Sequence, residues 1–519
     1  MLFLTRRERL AASLGMTNAI RATQLIYIKC NGAYLVWKII DLPHGSWQNR
    51  SMTHLHPDRL FPASEPARSI ARELYPEVSD LPLICPHGHT DPSWFAQNGR
   101  FSDPAALFLT PDHYVLRMLR SRGMSYDDLG VPRNDGRSVA EGRAAWRLFA
   151  ANYHLFAGTP SKTWIDHSLQ WAFGIEQVLS PETADAIYDT IDAAIATPEL
   201  LPRAVLDKAR VEVITTTEFA LDPLVHHQSM EADGYLGRVR TTYRPDDVTN
   251  PERAGWIDRI RQFADVTGED ITRWEGLLNA HRNRREYFRR FGAVATDHGV
   301  PTAETANLAP IEKQALLDRL LTGQYGAEDA DLFRAQMMTE MAGLSVEDGL
   351  VMQIHAGARR NTDPSLLAER GTDLGGDIPS RVNYVDGLQP LLARFGNEPN
   401  LRLIAFTLDE TNYARELAPM AGFWPSLMIG PPWWFHDSPQ GIRRYLDQVV
   451  ESAGFYNLAG FNDDTRALLS IPARHDVWRR EVCGFLARWV AENRITRSTA
   501  RDVARHLSYQ AAKDAYRIK

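Results

Sequence analysis

Cysteine is scarce. The 519-residue chain has only Cys30, Cys85 and Cys483, far apart and with no CxxC pair. That spacing argues against a disulfide framework and against a cysteine-built structural zinc site, and it fits a reducing compartment. No apolar run reaches the ~18 residues that a bilayer crossing needs. Arg6, Arg7 and Arg9 open the chain, but Arg21, Lys29 and Lys38 interrupt the apolar stretches behind them, so no signal-peptide core is formed. A soluble, cytoplasmic protein without a membrane partner is the expectation. Excess positive charge is also missing. The formal net charge of −7 argues against a phosphate-binding surface and hence against nucleic acid as a partner. The basic cluster from His281 to Arg285 runs into Glu286 within a helical pattern and reads as a solvated face. Glycine-rich phosphate loops are lacking after the early strands, which weighs against a doubly wound open sheet.

What is present is globular in composition, with 44% hydrophobic and 24% charged residues, enough for a large core. The length allows several domains or one large α/β barrel with insertions. Residues 1–51 differ from the remainder of the chain: a charged start, an Ile/Tyr/Val/Trp-rich patch and then Pro43-His44-Gly45-Ser46. They read as an N-terminal extension, with Met52 as an alternative start, ahead of a catalytic domain over 52–519.

Eight short apolar runs recur beyond that point: Leu83–Cys85, Val211–Thr216, Val239–Tyr243, Ala293–Thr296, Leu350–Ile354, Leu401–Phe406, Ser426–Ile429 and Asn457–Gly460. Helical or loop stretches separate them. Buried parallel strands with helical crossovers give this pattern, so the expected fold is α/β, a (β/α)8 TIM-type barrel. Between the first two runs, roughly residues 90–210, only helical periodicity is found. This segment is expected to be a helical cap inserted after the first strand.

Catalytic groups of such barrels sit where the strands finish. The first run leads into LPLICPHGHTDP, where a strand period of two puts His87 and His89 on one side, facing a metal or an anionic substrate. Thr217 and Glu218 follow the second run, Arg244 and Asp246 the third, and Asp297 and His298 the fourth. His355, Arg359 and Arg360 follow the fifth, Asp409 the sixth, Trp433 and Trp434 the seventh, and Asp463, Asp464 and Arg466 the eighth. Imidazoles with carboxylates suit zinc or another borderline divalent ion. Arginines at the same mouth suit a carboxylate substrate through the guanidinium fork. Singly, each such residue reads as well as a solvated strand end.

Six motifs in order, PHGHTDP, NGRFSDPAALFLTPDHYVLRMLRSRGM, TYRPD, MQIHAGARRN, PPWWFHD and DDTRALLSIPARHDVWRR, resemble the uronate isomerase (glucuronate isomerase) family of the amidohydrolase superfamily. The resemblance implies a barrel of the metal-dependent hydrolase type and a reversible aldose–ketose conversion, D-glucuronate to D-fructuronate and D-galacturonate to D-tagaturonate. It implies a divalent metal, zinc first, at His87, His89 and Asp464 with His355 nearby, and substrate contacts from His113, Tyr114, Arg244, Trp433 and Arg466. The chemistry agrees. Moving a proton between C2 and C1 through an enediol needs a base and a donor at the carbonyl oxygen. Asp464, held by Arg466, is the expected base, Tyr114 or His113 the donor, and Arg244, His355, Trp433 and Arg359 the substrate-binding groups. TTTEFALDP, NDDTR and PPWW stand where relatives read closer to TTDDP, TDSR and SGWW, the mark of a divergent branch. Two other readings compete: a metal-dependent hydrolase of the same superfamily and a non-catalytic sugar-acid binder. The aromatic content leaves room for an interface between copies.

Overall fold

A computed structural model describes residues 55–519 and, ahead of them, only the paired strands Ile28–Cys30 and Ala33–Leu35. Most of the proposed 1–51 extension therefore lies outside the described residues. Met1–Met52 and Thr53–Lys519 are separate units, and the second carries the fold and the candidate site.

Seven parallel strands form one sheet: β1 (Leu83–Cys85), β2 (Val211–Phe219), β3 (Val239–Arg244), β4 (Ala295–Val300), β5 (Val351–Ala356), β6 (Leu403–Thr407) and β7 (Leu427–Ile429). Each pairs with its neighbours in chain order, without a switch point. That monotonic order, with a helical crossover at each step, curls a twisted sheet on itself. The strands read as unbroken apolar runs because both faces are covered: all of β5 and β6 is buried. Alternate residues point inward. Ile84, Val213, Ala295, Val351, Ile404 and Met428 meet Phe406, Trp433 and Tyr516 in one cluster inside the curl, while the opposite faces pack against the crossover helices. Among the described residues no strand lies between β1 and β2, only helices and turns, and no helix is long and apolar enough to cross a membrane.

The eighth expected strand is corrected. Asn457–Gly460 contributes one isolated bridge, Ile429 to Leu458, held by Ile429 N to Asn457 O at 3.0 Å and Ala459 N to Ile429 O at 2.9 Å. Gly460 ends it. Its φ is +76°, and a Cβ there would stand 2.6 Å from Ala512 N, so the chain leaves extended geometry where the C-terminal helix presses on it. Further on, His89 N donates to Thr465 O at 3.0 Å, tying the end of β1 to the segment after the bridge.

Candidate active site

The strands deliver the site by their period of two. On β4 the inward side of Ala295 continues to Asp297, and on β5 that of Val351 continues to Gln353 and His355. His355 Nδ1 bonds Asp297 Oδ1 at 2.6 Å, and the His355 ring stacks on His87 at 4.7 Å and on Phe406 at 4.1 Å. Trp433 closes the edge of His355 at 4.8 Å. Gln353 supports His87 from below, its Nε2 lying 3.4 Å from His87 Nδ1 while its Oε1 accepts from Tyr516.

His87 and His89 lie just past the end of β1, and both converge on Asp464. Each Nε2 is 3.4 Å from Asp464 Oδ1, which is buried and has no hydrogen-bond partner. A charge-assisted hydrogen bond there would be shorter, near 2.8 Å. An ion bound at about 2.0–2.1 Å by tetrahedrally placed ligands would hold such atoms about 3.3 Å apart. Burial also favours the neutral form that ligation needs at both imidazoles. Burial pulls the His87 pKa below its ordinary value against the opposing charges of Asp464 and Asp297, and burial followed by the charge of His87 pulls His89 well below. One ligating atom from each of His87, His355 and Asp464 falls within 4.8 Å of the others, as it does for His87, His89 and Asp297. The donor set fits a divalent cation.

Asp464 itself has φ +38°, a left-handed conformation that Asp tolerates better than most residues. Arg466 does not hold it, a correction to the sequence expectation. Arg466 pairs instead with Asp373 at 3.0 Å. The turn at Asp463–Asp464 is fastened by the following helix, where Arg474 donates to Asp463 O at 3.2 Å and to Asp437 Oδ2 at 2.5 Å.

The Asp112-His113-Tyr114 motif is a helix start. Asp112 accepts from Tyr114 N at 2.9 Å and Val115 N at 3.2 Å, capping the helix His113–Arg120 and fixing both rings in its first turn. The two rings stack at 4.2 Å. Trp434 Nε1 donates to His113 Nε2 at 2.7 Å, so that nitrogen is an acceptor and the ring proton sits on Nδ1. Burial, then the charge of Arg466, pulls His113 down to about 3. Tyr114 moves the other way. Burial pushes its phenol well above the usual value, opposed by Arg474 and reinforced by Asp437 and Asp464.

Arg244 ends β3 between two carboxylates, Asp246 at 2.7 Å and Asp297 at 3.1 Å. Arg359 does not join the cluster: after Gly357, at φ +92°, the chain turns out and Arg359 is exposed. Arg360 takes the rim position, over the Trp434 ring at 4.9 Å and 3.0 Å from Asp377. His298 is one residue out of phase with Asp297 and turns outward among Met337, Met338 and Met341. Asp409 serves locally, accepting from Thr411 N at 3.0 Å.

Glu218 also faces away from the interior, bonded to Thr241. Burial pushes it up to about 8, opposed by Thr241 and Thr216. A carboxyl raised in the folded state contributes stability that is full below its unfolded pKa and is lost as pH rises through the folded value. Glu218→Gln is therefore expected to flatten the fall in melting temperature between about pH 4.5 and about pH 8. Parallel wild-type and variant melting curves over that range would count against it.

A glucuronate isomerase family description matches residues 65–516. The chain is 53% identical over 469 residues to a uronate isomerase of Xanthomonas oryzae pv. oryzae, covering 90% of this chain and 99% of that one. It is 54% identical over 464 residues to a uronate isomerase of Phenylobacterium zucineum, covering 89% and 97%. The crystal structure of glucuronate isomerase from Caulobacter crescentus superposes with a TM-score of 0.88 at 50% identity, over 90% of this chain and 97% of that chain. That of uronate isomerase from Thermotoga maritima gives 0.82 at 29% identity, over 89% and 99%. Sequence and fold therefore agree over nine-tenths of its length, and the chain belongs to the uronate isomerase family.

Proposed function

We propose that this protein interconverts D-glucuronate with D-fructuronate, and D-galacturonate with D-tagaturonate, in cytoplasmic hexuronate catabolism. The observation that carries the reading is that His87 and His89 each bring Nε2 to 3.4 Å from Asp464 Oδ1, that His355 joins His87 and Asp464 in one group of donor atoms, and that Tyr114 lies near enough to feel the Asp464 charge. The fold is read as a (β/α)8 barrel of the metal-dependent hydrolase type. In support, the Leu458 bridge and the His89–Thr465 backbone bond occupy the place of an eighth strand.

His87, His89 and Asp464 would hold a divalent ion, zinc first, which would supply polarisation of the substrate oxygens at C1 and C2. Asp464 Oδ1 faces the imidazoles, and its second oxygen is the base that takes the C2 proton. Tyr114, kept protonated by burial, gives its proton to the carbonyl oxygen at C1 to make the enediol. Asp464 then returns its proton to C1, the C2 hydroxyl gives its proton back to the phenolate, and the carbonyl re-forms at C2. His113 is the less suitable donor, because its Nε2 already accepts from Trp434. It stacks on Tyr114 and orients it. Arg244 and Arg466 receive the C6 carboxylate, while His355 and Trp433 wall the sugar. Arg359, exposed beyond the turn, takes no part.

Incubation with each uronate is expected to give a ketose signal, and removal of metal by a chelator is expected to lower the rate. Absence of ketose from both uronates, with protein loaded with zinc or manganese, would overturn the assignment. Release of a leaving group from an ester or amide instead would favour a hydrolase.

A further inference from the structure

A second group of donor atoms lies behind the catalytic cluster, on the other face of β1. Cys85 closes the strand, Asp463 precedes Asp464, and His475 stands on the helix Ile471–Ala491. All three are at most 3% exposed. His475 Nε2 lies 3.6 Å from Cys85 Sγ and 3.3 Å from Asp463 Oδ2, and the three atoms fall within 4.8 Å of one another. We propose that Cys85, Asp463 and His475 form a second divalent-cation site that takes a thiophilic ion such as zinc and serves the fold rather than the reaction.

Two of the three edges have the lengths of a tetrahedral site, and the third, sulfur to carboxylate, is within 4.8 Å. With zinc–sulfur at about 2.3 Å and zinc–nitrogen or –oxygen at about 2.0–2.1 Å, the edges of a tetrahedron are about 3.6 Å for sulfur–nitrogen and about 3.3 Å for nitrogen–oxygen. The donor types match as well, since thiolate with imidazole selects zinc over the harder cations that carboxylates alone would take. A thiolate and a carboxylate neutralise the dication. Three protein ligands leave a fourth position open, which is otherwise the pattern of a catalytic zinc site, so the assignment to the fold rests on the burial of all three donors behind β1. Burial, then the charge of Asp463, pushes the Cys85 thiol well above its ordinary pKa. A bound dication reverses that and takes the thiolate. The neighbouring guanidiniums are held by other groups at their terminal nitrogens, although Arg479 Nε has no partner and the Arg479 charge reaches Cys85 and His475. Arg474 is held by Asp437 and the Asp463 carbonyl, and Arg479 by the carbonyls of Ser79, Leu81 and Pro82.

The position explains the use. Among the described residues no strand ladder joins β1 to the segment after the Leu458 bridge, and the His89–Thr465 bond is what spans that seam. An ion held by β1, by that segment and by the helix behind it cross-links the seam. It also anchors the residue next to Asp464, whose backbone is left-handed.

The test is metal binding, so it stands whether or not the uronate assay succeeds. Full-length protein purified with zinc is expected to carry about two metal equivalents per chain, and Cys85→Ser about one. Protein stripped and reloaded with cobalt(II) alone is expected to show a near-ultraviolet sulfur-to-cobalt charge-transfer band. The band should persist in His89→Asn, which damages only the other cluster, and vanish in Cys85→Ser. The wild-type spectrum needs no variant to fold. Cobalt-loaded wild type without the band, or a band that survives Cys85→Ser, would overturn the proposal and leave a hydrogen-bonded trio with no ion.

Discussion

Replacing Asp464 by asparagine lowers kcat for D-glucuronate by at least about a hundredfold, with KM much less affected. The amide copies the carboxylate in shape and accepts the left-handed backbone at φ +38° as readily, so the fold is expected to survive. It cannot take a proton from C2. It also weakens one ligand of the proposed ion, because the Oδ1 that faces His87 Nε2 and His89 Nε2 at 3.4 Å loses its charge. Steady-state kinetics with saturating zinc separate the two losses: the metal-binding part recovers with added ion, while the proton-transfer part does not. Near-normal turnover by the loaded variant would remove Asp464 from the role of base.

The period of two explains both what could be read in the sequence and what could not. Seven of the expected runs are strands, because buried parallel strands must be apolar throughout and little else in the chain is. Asn457–Gly460 has the same apolar pattern but is bent out of a ladder by the packing of Gly460 on Ala512, a contact between distant parts of the chain that local sequence does not carry. At the site, counting by two from Ala295 reaches Asp297, and counting from Val351 reaches Gln353 and His355, so these interior groups were legible in principle. The same count excludes His298, which groups with the other histidines in the sequence only because it follows the apolar run Ala293–Thr296, although it lies within β4. Arg359 is misplaced by sequence reasoning for a related cause, since Gly357 resets the phase and Arg360 reaches the rim instead. Asp373, the partner of Arg466, comes from irregular chain with no periodic signal. The Asp-Pro pairs within the motifs, Asp91-Pro92 and Asp103-Pro104, are helix caps with proline in the first turn, a structural explanation for part of the resemblance.

Arg244 carries the other large effect, because it has two duties. Its guanidinium lies between buried Asp246 and buried Asp297. Burial pushes Asp297 up, but Arg244 and His355 outweigh it and hold the carboxyl well below the usual range, while at Asp246 burial prevails and raises it. Arg244→Leu removes the cation from both. Breaking a buried ion pair on one side costs about 3–5 kcal/mol, most of it the penalty of the charge left behind. The pH dependence identifies the cause. In the wild type, Asp297 with its depressed pKa contributes stability that is present above the unfolded value and is lost only as pH falls through the low folded value. In the variant the buried carboxylates shift upward, so their contribution is lost as pH rises through the new values. The stability gap between wild type and variant should therefore narrow as pH falls from about 8 towards about 5. Denaturant melts at both pH values measure it, and Arg244→Leu combined with Asp246→Asn should recover part of the loss by removing one stranded charge. In the fraction that remains folded, KM for D-glucuronate should rise because one receiver of the C6 carboxylate is gone. A variant as stable as wild type at pH 8 would mean that Asp246 and Asp297 do not depend on Arg244. An unchanged KM would leave the substrate carboxylate to Arg466 alone.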